Sequence, residues 1–302
     1  MSCHEDPFSL QIASLLDIGV MGTCKHKCDF CYQGHVDRPN MKLSDFKKII
    51  DEVAYHVNQV ALGGRGDPNH HENFKEMIEY CREQGVVPNY TTSGIDLTDE
   101  HIEISKLCGA VAVSDYENNF TYRALQRFID AGIKTNIHQI YSNETHIKCC
   151  GLVEGRIPTL WKSFDVSGLN AVVFLLFKPH GAGKNLKHLI PTEAQRKYFS
   201  TLIFNPSCKF KVGMDSCLVN HVIKYGNASP MQKATIDTCE AARMSAYITP
   251  DMKMMPCSFA DEKRWATPIY RNGVHFIWND AAPFNKFREV LMKHRDVCPL
   301  GL

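Results

Sequence analysis

Residues 15–32 read LLDIGVMGTCKHKCDFCY, a mostly apolar run that stops at Gly22 and opens into three cysteines. A run this short, ended by a glycine, predicts a strand at 15–21. Cys24, Cys28 and Cys31 then make a C-x3-C-x2-C array, and a loop of that length can wrap all three thiolates onto one inorganic centre. Four thiolates would complete a structural zinc site or a [4Fe–4S] cluster. Three leave one metal position without a nearby protein thiolate. The alternative is a zinc knuckle closed by Cys3, His4, His26 or His35, although its usual C-x2-C pairs are absent.

Outward from this stretch, short apolar runs recur at 59–62, 87–92, 110–114, 133–141 and 171–177. Amphipathic segments near 43–57, 72–84, 98–107, 118–131 and 143–153 separate them. In the first, Phe46, Ile49, Ile50 and Val53 recur at helical spacing and predict one buried stripe. Ser44, Thr98 and Asn119 stand where helices want N-caps, and Gly132 stands where one should stop. Strands alternating with helices imply parallel pairing through right-handed crossovers. Six units fall short of the eight of a closed barrel. The expected fold is therefore α/β, a partial (β/α)6 barrel over 1–190 with a small C-terminal α+β unit over 191–302. That tail should hold a helix at 192–204, short extended pieces from Cys208, a hairpin around 247–255 turning at Pro250-Asp251, and a helix near 283–295.

Composition narrows the function classes. Thirty-four basic against 33 acidic residues give a net charge of +1. Phosphate neutralisation needs clustered positive charge, so a broad nucleic-acid surface is not expected. The longest apolar run, at 171–177, is far below a membrane span, and the N-terminus MSCHEDPF lacks the features of a secretory signal. A cytoplasmic chain is expected. Thirteen cysteines is an odd count, and in a reducing compartment many cysteines point to metal ligands, reactive thiols or packing.

The triad's spacing, with Phe30 just before the third cysteine, resembles the radical S-adenosylmethionine (radical SAM) superfamily from about residue 15 to 177. The resemblance implies that Cys24, Cys28 and Cys31 hold a [4Fe–4S] cluster whose fourth iron binds S-adenosyl-L-methionine (AdoMet). One electron then cleaves the sulfonium to a 5′-deoxyadenosyl radical that abstracts a substrate hydrogen. Residues 61–68, ALGGRGDP, are similar to the family's Gly-Gly-Glu-Pro turn, which receives the methionine ammonium. Arg65 and Asp67 depart from it: Arg65 replaces a glycine, and Asp67 replaces Glu with one methylene fewer. Gly63, Gly64, Gly66 and Asp67 are thus expected at AdoMet. Thr92-Ser93-Gly94 and Ser114-Asp115 echo further family contacts, which adds Ser93 and Ser114. On the strand 133–141, period-two alternation puts Asn136 and His138 on one face, looking into the barrel. His138 joins the AdoMet candidates, against a structural imidazole satisfied by backbone.

Cys217, Cys239, Cys257 and Cys298 are separated by 21, 17 and 40 residues, intervals foreign to zinc fingers. Residues 239–259, CEAARMSAYITPDMKMMPCSF, resemble the C-terminal SPASM or twitch module of radical SAM enzymes, which holds an auxiliary [4Fe–4S] cluster. That resemblance implies these four as ligands, with Cys208 in reserve for Cys217. Cys81 and Cys108 read as packing residues, and Cys149 and Cys150 as ordinary buried thiols rather than a catalytic pair.

The implied function is oxidative modification of a substrate, most readily a peptide, as a crosslink or side-chain oxidation. The chain begins almost at its first strand, leaving no segment for a leader-recognition domain. Dehydrogenation of a small molecule is the same-class alternative. A non-catalytic iron–sulfur or zinc protein for redox sensing or partner binding is the alternative of another class. An external electron donor such as flavodoxin or ferredoxin is expected as a partner.

Overall fold

A computed structural model describes residues 9–204, 206–236, 238–293 and 298–300. Its strands are β1 (Leu15–Met21), β2 (Gln59–Gly64), β3 (Val87–Thr92), β4 (Val111–Ser114), β5 (Thr135–Tyr141), β6 (Ala171–Leu176), β7 (Lys211–Met214), β8 (Ser245–Ile248), β9 (Lys253–Met255) and β10 (Thr267–Pro268). They form one sheet in the order β10-β9-β8-β1-β2-β3-β4-β5-β6-β7. From β8 through β7 every neighbour pairs parallel, and β8-β9-β10 are antiparallel. The sheet is open in this hydrogen-bonded order, as a partial barrel requires. The tail is joined to the core at both edges, since β7 extends the sheet beyond β6 and β8 pairs with β1.

The crossovers carry helices α1 (Leu43–Val53), α2 (Phe74–Glu83), α3 (Asp99–Ser105), α4 (Asn119–Asp130) and α5 (His146–Val153). The tail adds α6 (Glu193–Leu202), α7 (Ser216–Tyr225), α8 (Pro230–Thr235), α9 (Glu262–Trp265), α10 (Ile269–Asp280) and α11 (Ala282–Lys293). The expected stripe of α1 is buried: Phe46, Ile49, Ile50 and Val53 are each 1% exposed or less. At roughly 1.5–3 kcal/mol per buried large apolar side chain, this helix is held by its face more than by its ends. Its N-cap is Lys42, without a side-chain bond, so Ser44 does not cap it. Thr98 does cap α3, in a capping box with His101. The cap of α4 is Asn118, which accepts from Thr121 N, rather than Asn119. Gly132 follows the last turn of α4 at φ +72°, as a stop residue should.

Leu16 and Ile18 on β1, Val111 and Val113 on β4, Ile137 on β5 and Val172 and Phe174 on β6 are fully buried. Period-two alternation sends the intervening residues, Asp17, Asn136 and His138 among them, to the opposite face of the sheet. After Cys208 the chain is more helical than the sequence reading expects, with α7 and α8 between β7 and β8 and α10 after β10. No helix among the described residues is long and apolar enough to cross a membrane.

Candidate functional site

The loop from Gly22 to Asn40 carries Cys24, Cys28 and Cys31, all half-buried. It is pinned on several sides. Arg38 N donates to Gly22 O at 2.9 Å, and Ala182 N, after β6, donates to Cys31 O at 2.8 Å. A Cβ on Gly181 would stand 2.2 Å from Tyr32 O, and one on Gly66 would stand 2.2 Å from Thr23 O. Glycine at these positions lets the ends of β2 and β6 close on the loop. The β1–β2 register shifts between Gly19 and Met21, where Met21 pairs with Gly64. Gly64 takes φ +113° there, so the positive φ of the turn falls on Gly64. Arg65 turns its guanidinium to Asp37 of the loop, at 2.9 Å.

Burial raises the thiols of Cys24 and Cys28; the charges of Cys28 and Cys31 raise Cys24 further, and that of Cys31 raises Cys28. Phe30 lies against Tyr116 with ring centroids 6.3 Å apart, and His26 stacks on the same ring at 5.2 Å. His35 places Nε2 3.0 Å from Cys28 O. The other two residues named for a zinc knuckle, Cys3 and His4, lie outside the described residues. Tyr116, beside Cys28 and with its own hydroxyl raised by burial, is a contributor the sequence reading missed. Only its place two residues after Ser114 could have signalled it.

Asp67 precedes the 3-10 turn Pro68–His70 without capping it. Its Oδ2 instead accepts from Ser93 N at 2.9 Å, Ser93 Oγ at 2.5 Å and Thr92 Oγ1 at 3.2 Å. Ser93 is 1% exposed, and its Oγ also accepts from Ile95 N at 3.2 Å. Ser114 pairs in register with His138. Burial pulls the His138 imidazole down to about 4, so it is neutral near pH 7. Asp115 is fully occupied, by Lys148, Trp161, Tyr122 and Glu117 N.

In the tail, Cys217 lies in the first turn of α7 and Cys257 follows β9, near opposite ends of the strand order. They meet nonetheless. Burial raises Cys257, and the charges of Cys217, Cys239 and Cys298 raise it further. Burial also pushes Cys217 to about 12 and Cys239 to about 11. Cys217, Cys239 and Cys257, so placed, resist ionisation unless a positive centre takes their charge, as a bound metal does. Cys208 stays outside the group, with its Sγ directed to Phe210 O. Among the described residues, no three His, Cys, Asp or Glu side chains are grouped as ligands of a single ion. The donor chemistry of both sets, thiols alone, is of the kind an iron–sulfur cluster takes.

Lys178, just past β6 and 6% exposed, approaches this group. Its Nζ lies 2.5 Å from Asp215 Oδ2 and 4.3 Å from the Phe259 ring centre. Burial works against the ammonium, and the charges of Asp215, Cys217 and Cys257 more than offset it. The remaining described cysteines are packing residues. Cys81 and Cys149 are fully buried and Cys150 nearly so, and burial raises Cys81, Cys108 and Cys149 to about 12 and Cys150 to about 11. Such thiols are poor nucleophiles.

Residues 18–143 match the family model described as the radical SAM superfamily. A 92-residue stretch is 26% identical to the tungsten-containing aldehyde ferredoxin oxidoreductase cofactor-modifying protein of Pyrococcus furiosus, covering 29% of this chain and 26% of that protein. The chain thus spans about a quarter of the length of this curated relative. Among solved structures, Streptococcus suis SuiB bound to S-adenosylmethionine superposes with a TM-score of 0.71 at 16% identity, covering 93% of this chain and 68% of that one. Native anSMEcpe with bound AdoMet and Cp18Cys peptide gives 0.66 at 15%, covering 92% and 83%. BtrN in complex with AdoMet and 2-DOIA gives 0.53 at 15%, covering 95% and 92%. At these identities the likeness is one of fold.

Proposed function

The chain belongs to the radical SAM superfamily through residues 18–143, and from that premise we propose that it is a radical SAM enzyme for the oxidative modification of a peptide. The observation that carries this reading is the loop of Cys24, Cys28 and Cys31 locked against the glycines of β2's end. Cys24, Cys28 and Cys31 would hold a [4Fe–4S] cluster there, which would supply the electron for reductive cleavage of AdoMet and so the hydrogen-abstracting chemistry. The chain's own part is placement. Gly63, Gly64 and Gly66 bring the backbone of the β2 turn to the ligand, Asp67 fixes that turn to β3, and Ser114 and His138 line the barrel wall beyond it. His138 is neutral and so offers AdoMet's adenosine a hydrogen-bonding edge without charge.

Residues 191–302 are the part we assign to a second [4Fe–4S] cluster, on Cys217, Cys239, Cys257 and Cys298. With four protein thiolates no iron is left open, which suits an electron acceptor for substrate oxidation. A peptide substrate is supported by two of the structural neighbours, SuiB bound to precursor peptide SuiA and anSMEcpe with Cp18Cys peptide. Small-molecule oxidation is the second reading, favoured by the match to 92% of the length of BtrN. An external donor of the flavodoxin or ferredoxin kind would reduce the first cluster, in the cytoplasm. Anaerobic reconstitution tests the whole proposal. About eight irons per chain and 5′-deoxyadenosine formation from AdoMet support it, whereas zinc without cleavage would leave the non-catalytic alternative.

A further inference from the structure

The ion pair between Lys178 and Asp215 sits where β6 and β7 meet the tail. Asp215 is also tied to β6 itself, because its N donates to Phe174 O at 2.9 Å. Asp215 Oδ1 caps α7 by accepting from Leu218 N at 3.0 Å, which places Cys217 two residues beyond the carboxylate. On its other side Lys178 lies over Phe259, two residues beyond Cys257. The ammonium therefore stands between the segments that carry Cys217 and Cys257. Its acceptors are the Asp215 carboxylate and Leu176 O, the latter at 3.2 Å, which leaves one N–H without an oxygen or nitrogen acceptor among the described residues.

A buried ion pair adds little net stability, because desolvation consumes most of its attraction. Stability alone is a poor reason to place a lysine here. Four thiolates on a cluster give that centre a net negative charge, and reduction adds one more. A fixed cation nearby favours the reduced form, and a fixed anion disfavours it. We propose that Lys178 and Asp215 are positioning residues that set the reduction potential of the tail cluster, the lysine raising it and the aspartate restraining it. The proposal rests on the second cluster assigned above. The couple concerned takes up one electron from an external reductant, with no bond broken.

The test uses the full-length chain with Cys24, Cys28 and Cys31 changed to Ala, reconstituted anaerobically so that only the tail cluster remains. Dithionite is the electron donor, and the midpoint is read by potentiometric EPR. Lys178→Met should lower the midpoint, Asp215→Asn should raise it, and Lys178→Arg should leave it close to the parent. General damage to the site would not move the two neutralising variants in opposite directions. An unchanged midpoint in Lys178→Met with iron retained, or shifts of the same sign in both, overturns the proposal. If Lys178→Met loses its iron, Asp215→Asn alone decides, and a midpoint that does not rise is the overturning result. Absence of iron from the parent triple variant removes the second cluster itself, and iron analysis separates that failure from the others.

Discussion

One carboxylate oxygen of Asp67 accepts both the backbone N–H and the hydroxyl of Ser93, at 2.9 and 2.5 Å, and so ties the end of β2 to the end of β3. The geometry of the turn then depends on this carboxylate whether or not it also meets a ligand. Asp67→Ala would remove the acceptor of three buried donors, Ser93 N, Ser93 Oγ and Thr92 Oγ1, each costing roughly 1–3 kcal/mol where it is left unpaired. We expect a loss of about 2–4 kcal/mol in urea unfolding, together with weaker AdoMet binding. Asp67→Asn should retain part of the stability, since an amide oxygen can still accept from Ser93 N. Unchanged stability with lost affinity would make Asp67 a direct ligand contact and not a tether.

Gly66 is the point where the β2 turn touches the cysteine loop. A Cβ there would lie 2.2 Å from Thr23 O and 3.1 Å from Cys24 Cα. Backbone cannot yield as a flexible side chain can, so Gly66→Val should push the loop away. The expected outcome is a loss of about 1–3 kcal/mol from overpacking and of about four irons on reconstitution. Gly63→Ala is the control, since its nearest neighbour would be Asp17 Oδ1 at an ordinary 3.5 Å. Equal iron content in Gly66→Val and the parent would show that the loop does not need this approach.

Cys257→Ala separates the two centres. It removes the most deeply enclosed thiol of the tail set, and the expected result is about four irons fewer with AdoMet cleavage still measurable. Metal binding in such a site is also folding free energy, so the variant should melt earlier than the parent. Full iron in a soluble variant would remove Cys257 from the ligands.

Strands β1 and β3 occupy the residues expected of them, 15–21 and 87–92, although β3 buries only alternate residues. The end of β7 was not legible. KVGM is short, half-exposed and contains glycine, so nothing in its own residues outweighs a loop. Helix α10 was hidden by Gly273, whose φ of +75° interrupts the helical pattern. The spacing of the four tail cysteines could not show that they meet, since Cys217 and Cys257 are brought together from opposite ends of the sheet's order. Lys178 and Asp215 likewise acquire a role only once β6 and β7 are adjacent. Cap positions slipped by a residue at α4, where Asn118 and Asn119 are chemically equivalent and only backbone geometry chooses between them.

The final prediction concerns Asp17, a charged residue inside the first apolar run. It faces away from Leu16 and Ile18, beside Tyr247 in register, and its carboxylate has no hydrogen bond or ion pair among the described residues. Burial raises its pKa from 3.8 to about 7. Between those values the folded protein holds a proton that the unfolded chain has released. Stability from this group is therefore complete below about pH 3.8 and is lost as pH rises toward 7. At about 1.4 kcal/mol per unit, the loss reaches up to about 4 kcal/mol. Asp17→Asn cannot ionise, so it should unfold at higher urea than the parent above pH 7 and nearly with it at pH 4. His138 works in the opposite direction, since its folded pKa of about 4 lies below the ordinary 6.5 and it costs stability as pH falls through that window. The two windows overlap between about pH 4 and 6.5 with opposite signs, so the parent's stability should change little there, whereas Asp17→Asn, left with the histidine alone, should lose stability as pH falls through it. Parallel pH profiles for the two proteins would mean that Asp17 is already ionised in the folded state, with water or a bound cation compensating its charge.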